Sequence, residues 1–121
     1  IPDDRGLKEE RHKVASIYWA IKRILTERNA AGWLTCQGPA AWIDRLMTAE
    51  AFSESYDKTR ISDIVITLNQ TKAERRTGIL RAYMAKNRTG SAGDLVYFAT
   101  DLARAHIEET APPSGITSRA A

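Results

Sequence analysis

The chain has 121 residues, 43% hydrophobic and 27% charged, with a formal net charge of +3. That length suits one small domain with a single core. No apolar run approaches the ~20 residues of a membrane-spanning helix, and the opening "IPDDRGLKEERHK" has no apolar stretch of the signal-peptide kind. Cys36 is the only cysteine, which excludes an internal disulfide and a cysteine-rich metal site. A cytoplasmic protein that does not enter a membrane is the expectation.

Periodicity predicts an amphipathic helix over 7–28. Val14, Ile17, Tyr18, Ile21 and Leu25 recur at i, i+3, i+4, i+7 and i+11 and form one apolar stripe. "NAAGW" breaks it, and "GWLTC" reads as a short buried strand over 32–36, stopped by Gly38-Pro39. A second helix is expected over 42–56, with Ile43, Leu46, Met47 and Phe52 inward. "ISDIVITL", 61–68, is β-branched and apolar on both faces, as in a central strand covered on each side. A polar loop over 69–77 follows. "GILRAYMAKNR" alternates like a strand, a turn is expected at 89–93, and "DLVYFAT" reads as the returning strand. A last short strand is expected at 104–108, and the Pro/Ser/Gly-rich stretch 110–121 as a disordered tail.

This order predicts an α/β fold: a parallel sheet with flanking helices in the first half and antiparallel edge strands from a C-terminal hairpin. A parallel α/β sheet usually begins with a strand, whereas this chain begins with a helix. The expectation is therefore the C-terminal part of a larger fold.

Charge is distributed unevenly. The stretch 72–88 carries Lys72, Arg75, Arg76, Arg81, Lys86 and Arg88 against Glu74 alone. Such a stretch suits phosphates of a nucleic acid or a nucleotide, although a solvated mixed surface is the commoner use of one. In a regular strand Leu80, Ala82, Met84, Lys86 and Arg88 share one face, apolar first and cationic at its end. Arg88 can clamp two phosphate oxygens with its planar fork, and Lys86 can act as a point charge beside it. Spacing alone favours a simpler role, an exposed hairpin whose cations protect a sheet edge. Gln37 falls just past the predicted strand 32–36, where ligands bind in open α/β sheets.

Taken in order, "TCQ", "ISDIVITL", "KNRTGSAG" and "LVYF" resemble the C-terminal ATPase domain of DnaB-like hexameric replicative helicases, a branch of the RecA-like ATPases. The resemblance covers 7–109, and "KNRTG" is its most specific part. It implies that Lys86 and Arg88 form the finger pair that reaches into a neighbouring subunit's nucleotide site. It implies that Gln37 couples the γ-phosphate to bound DNA. The loop 38–45, with Arg45, and the loop 70–77, with Lys72, Arg75 and Arg76, would face single-stranded DNA in a central channel. The complete protein would be a ring, a hexamer in this family, using ATP and Mg²⁺ to move along single strands and unwind duplex.

The departures are large. No G-x-x-x-x-G-K-S/T occurs in these 121 residues, so they hold no P-loop, and no strand ending in a Walker B aspartate is expected among them. Cys36 stands where the family has serine. The chain alone is expected to bind no ATP or Mg²⁺ and to hydrolyse none. The alternative is a non-enzymatic, degenerate RecA-like module that binds nucleic acid or a partner ATPase; an interaction domain with a merely soluble hairpin is the plainest option. His12 and His106 lie far apart without metal-ligand spacing, and no metal site is expected. Cys36 reads as a small buried core residue, and Trp19, Trp33 and Trp42 as core or interface.

Overall fold

The structure, a computed structural model, describes residues 4–113. Helix α1 spans Asp4–Glu27. Its stripe residues Val14, Tyr18, Ile21 and Leu25 are half-buried, while Ile17 on the same stripe is exposed. The helix ends where the sequence said it would. Asn29 adopts the left-handed conformation at φ 48°, its N–H reaches the Thr26 carbonyl at 3.1 Å, and the Ala30 N–H reaches the Leu25 carbonyl at 2.9 Å. This paired arrangement satisfies two carbonyls that a helix end leaves open, and asparagine tolerates the left-handed region well.

The segment 32–36 is not a strand. A strand needs a hydrogen-bonded neighbour, and none of the described residues supplies one. It runs against α1 instead. A Cβ on Gly32 would lie 2.5 Å from the Leu25 Cδ1, so a larger residue there would require the Leu25 side chain to shift. Farther along, Cys36 is exposed yet reaches Tyr18, whose hydroxyl pKa is raised by partial burial and by that thiol. Trp33 is 83% exposed and Leu34 51% exposed. The buried readings of Cys36 and of the segment 32–36 are therefore corrected.

The expected helix over 42–56 is broken into pieces: a 3-10 turn at Ala40–Trp42, another at Ala49–Ser55, and helix α2 over Tyr56–Ile61. Strand β1 spans Ile64–Asn69. Residues expected as a polar loop form a one-turn-and-a-half helix, α3, over Lys72–Thr77. Thr71 caps it, accepting from the Glu74 N–H at 3.1 Å. Gly78 closes it at φ 72°, where a Cβ would meet the Thr100 carbonyl oxygen at 2.8 Å. Strands β2, Ile79–Asn87, and β3, Leu95–Asp101, form the expected hairpin, and β4, His106–Thr110, completes the sheet.

The sheet order is β1-β2-β3-β4, and every pair is antiparallel. The fold is mixed α/β, but the expected parallel sheet is absent from the described residues. Its first strand was to come from 32–36, and that segment forms no ladder with any of the described residues. The tail 114–121 lies outside the described residues, whereas 106–110 is strand.

The register divides the sheet into two faces. Val65, Thr67 and Asn69 of β1 share a face with Arg81, Tyr83 and Lys86 of β2 and with Leu95 and Tyr97 of β3. Thr67, Asn69, Leu95 and Tyr97 are buried there, with Ala51 and Ile61 among the buried apolar residues. The opposite face presents Ile64, Ile66, Leu68 and Val96 to solvent, with Leu80, Met84 and Phe98 half-buried among them. One apolar face is covered and the other is bare.

Candidate functional site

Two groups of candidate residues emerge at opposite ends of β1. At its start the β1/β2 register shifts: Val65 pairs with Lys86, but Ile66 pairs with Met84, leaving Ala85 as an extra residue. This β-bulge moves Lys86 off the face of Leu80, Ala82 and Met84 and onto the covered face. The single five-residue face expected from strict alternation is thus corrected. Lys86 and Arg88 do stay together, two residues apart beyond the bulge.

Their surroundings differ. The Lys86 Nζ donates to the Thr59 carbonyl at 2.6 Å and to the Arg60 carbonyl at 3.3 Å. These are terminal carbonyls of α2, which a cation stabilises both by hydrogen bonding and by the helix dipole. Burial lowers the Lys86 pKa, and the nearby Arg88 lowers it further. Arg88 instead extends from the hairpin tip and pairs with the Asp63 Oδ1 at 2.7 Å, with about half of its side chain exposed. The backbone matches, since the Arg88 N–H donates to the Asp63 carbonyl at 2.9 Å.

Asp63 is shared. The Lys22 Nζ, from α1, donates to the same Oδ1 at 3.0 Å and to the Ile61 carbonyl at 2.8 Å. Three cations from two places in the chain therefore gather here: Lys22 and Arg88 share one carboxylate, and Lys22 and Lys86 share one helix end. The Lys22 hydrogen bond is the largest influence holding the Asp63 carboxyl below its ordinary range. Desolvation opposes it, and the charges of Lys22, Arg88 and Lys86 add to it. Sequence reading missed Asp63 and Lys22. Asp63 was within reach, because it stands directly before β1 where an antiparallel partner must bring the hairpin tip. Lys22 gave no local signal, since only tertiary packing of α1 on α2 places it.

At the far end of β1 a buried polar network fixes the 38–48 segment. The Thr67 hydroxyl donates to the Met47 carbonyl at 2.7 Å, and the Met47 N–H donates to the Asn69 Oδ1 at 2.7 Å. Asn69 Nδ2 returns to the Thr67 Oγ1 at 2.9 Å. Next along, Asp44 accepts from the Lys72 N–H at 2.8 Å, at the first turn of α3. Arg45 lies over the Trp42 ring, 4.6 Å from its centroid. The segment carrying Arg45 and the helix carrying Lys72, Arg75 and Arg76 are thereby joined, and all four cations are exposed. The pair Arg81–Glu74, at 2.9 Å and largely buried, anchors α3 to β2. Arg75 also reaches the Gln70 Oε1 at 3.5 Å.

Gln37 is exposed and does not follow a strand, so the strand-end position expected for it is not present. No hydrogen bond among the described residues joins it to Lys86, Arg88 or α3. Its neighbour Gly38 lies against the Met47 sulfur. No group of three or more metal-ligating side chains occurs among the described residues, and no described helix is long and apolar enough to cross a membrane.

No family model, curated protein or solved structure matches the chain.

Proposed function

We propose that this chain is the trans-acting and DNA-facing part of a RecA-like ATPase domain of the DnaB type. In this reading Arg88 reaches a γ-phosphate bound by a neighbouring copy in a ring. Arg45, Lys72, Arg75 and Arg76 track the backbone of single-stranded DNA. ATP and Mg²⁺ are held by a P-loop and a Walker B aspartate that the chain itself lacks. The guanidinium neutralises charge on the transferring phosphoryl group, which is the chemistry a finger supplies. Without the groups that cradle the phosphates, the chain alone turns over no ATP.

The observation that carries the reading is the placement of Arg88. Arg88 directly follows β2, where its N–H bonds the Asp63 carbonyl, and its side chain is half exposed and paired with a surface carboxylate. A group meant only to keep an edge soluble needs no such orientation. A second support is the bare sheet face. Ile64, Ile66, Leu68 and Val96 are exposed on one side, and β1 is an edge strand without a charge or a proline. Natural edge strands are usually blunted by such residues. An unprotected apolar edge fits a strand that further protein covers, as in a larger sheet.

Joining of the Arg45 segment to α3 by Asp44 supports single-strand binding, and it supports equally the second reading, a non-enzymatic nucleic-acid-binding module. The coding sequence contiguous with Ile1 separates the two. An in-frame G-x-x-x-x-G-K-S/T upstream is expected; an initiation codon directly before Ile1 would leave the binding module alone.

A further inference from the structure

We propose that Asp63 is a positioning residue for Arg88, holding its guanidinium at the hairpin tip and yielding it to a phosphate oxygen, while Lys86 stays behind as a brace. The inference rests on the reading of Arg88 as a phosphate-seeking group.

The three cations around Asp63 are held in different ways. Arg88 makes one ion pair, to Oδ1 at 2.7 Å, and both partners are at least half exposed. Such a pair contributes little net stability, so exchanging its carboxylate oxygen for a phosphate oxygen is nearly free. Lys86 is different. Its ammonium bonds two carbonyls at the end of α2 and is partly desolvated. Pulling it outward would leave those carbonyls without their donor. Lys22 bonds both the Ile61 carbonyl and the Asp63 carboxylate, so Asp63 keeps a partner and its place when Arg88 departs. Asp63 therefore acts as an internal stand-in for the anion. It aims the guanidinium in the resting state and competes with phosphate for it.

Inorganic tripolyphosphate at low salt, titrated into the 121-residue chain, tests this. The Arg88 Nε–Hε resonance reports on the guanidinium and the Lys86 Nζ resonance on the brace. Arg88 should shift and saturate while Lys86 barely moves. Asp63→Asn should tighten the affinity read at Arg88 by up to about fivefold, the range of one surface ion pair. Asp63→Ser should do the same, and guards against a folding defect of the first variant. Asp101→Asn, which removes a carboxylate paired elsewhere with Arg104, should leave the affinity unchanged. Acidifying the wild-type chain should move the Arg88 resonance as Asp63 takes up its proton. The proposal is overturned if Lys86 responds first, if Asp63→Asn acts no more strongly than Asp101→Asn, or if acid leaves Arg88 unmoved. The readout involves no ATP turnover. Loss of the ATPase reading with this titration intact, or the reverse, identifies which idea has failed.

Discussion

Replacing Thr67 by valine removes one buried hydroxyl and almost nothing else. Thr67 is 3% exposed, and its Oγ1 is the donor to the Met47 carbonyl at 2.7 Å. Valine has nearly the same shape but offers no proton, so that part-buried carbonyl loses its partner. An orphaned buried acceptor costs about 1–3 kcal/mol. The Asn69 Nδ2 also loses its Thr67 Oγ1 acceptor at 2.9 Å but keeps the Thr67 carbonyl at 3.2 Å. Because the bond to the Met47 carbonyl is only part-buried, the expected loss falls at the lower end, about 1–1.5 kcal/mol. Urea unfolding should show a lower midpoint at unchanged slope, since the surface exposed on unfolding is the same. Asn69→Ala removes the acceptor of the Met47 N–H, at 2.7 Å. Because both side chains hold one backbone residue, the double variant should lose less than the sum by at least ~0.5 kcal/mol. A loss below ~0.5 kcal/mol for Thr67→Val, or strict additivity, would refute the claim that this network fixes the Arg45 segment.

Three further outcomes follow from the same contacts. Gly78→Ala should destabilise by at least about 1 kcal/mol in thermal unfolding, because φ is 72° and the added Cβ meets the Thr100 carbonyl at 2.8 Å. Neutralising Lys72, Arg75 and Arg76 together should weaken binding of unstructured single-stranded DNA and flatten its log–log salt dependence by roughly 2. No binding by the wild-type chain at low salt would remove the nucleic-acid role. Asp63 has a folded-state pKa below its ordinary 3.8. Its contribution to stability is therefore complete above that ordinary value and is lost as pH falls through the depressed one. Asp63→Asn should flatten the acid limb of a stability–pH curve below about pH 4 and leave its neutral part unaltered in slope.

Features governed by local pattern were legible in the sequence. The α1 stripe and its Asn29 stop, the β2–β3 hairpin and a strand near 106 all emerge from neighbours a few residues apart. The segment 32–36 misled because an apolar run becomes a strand only with a partner; here Gly32 and Cys36 pack on Leu25 and Tyr18 instead. Helix α3 was signalled and overlooked. Thr71-x-x-Glu74 has the spacing of a capped first turn, and Gly78 stands where a helix closes. The charged character of 72–77 hid both. Ala85 as a bulge had no such signal. Bulges depend on how two strands meet, so the side to which Lys86 turns could not be read from alternation. The candidate site was half visible: its cations stood out by charge, while Asp63 and Lys22, which organise them, become visible only once the chain is folded.

ATP turnover by a reading frame that joins this chain to a Walker A segment tests most directly the proposal that Arg88 acts across a subunit boundary. Arg88→Ala should lower turnover by ~10³-fold or more while nucleotide affinity stays within about threefold, because the guanidinium acts on the transition state and not on the bound nucleotide. Mixing the variant with a Walker A variant should restore part of the activity, since each then supplies what the other lacks at a shared site. Turnover that persists unchanged in Arg88→Ala would contradict the account.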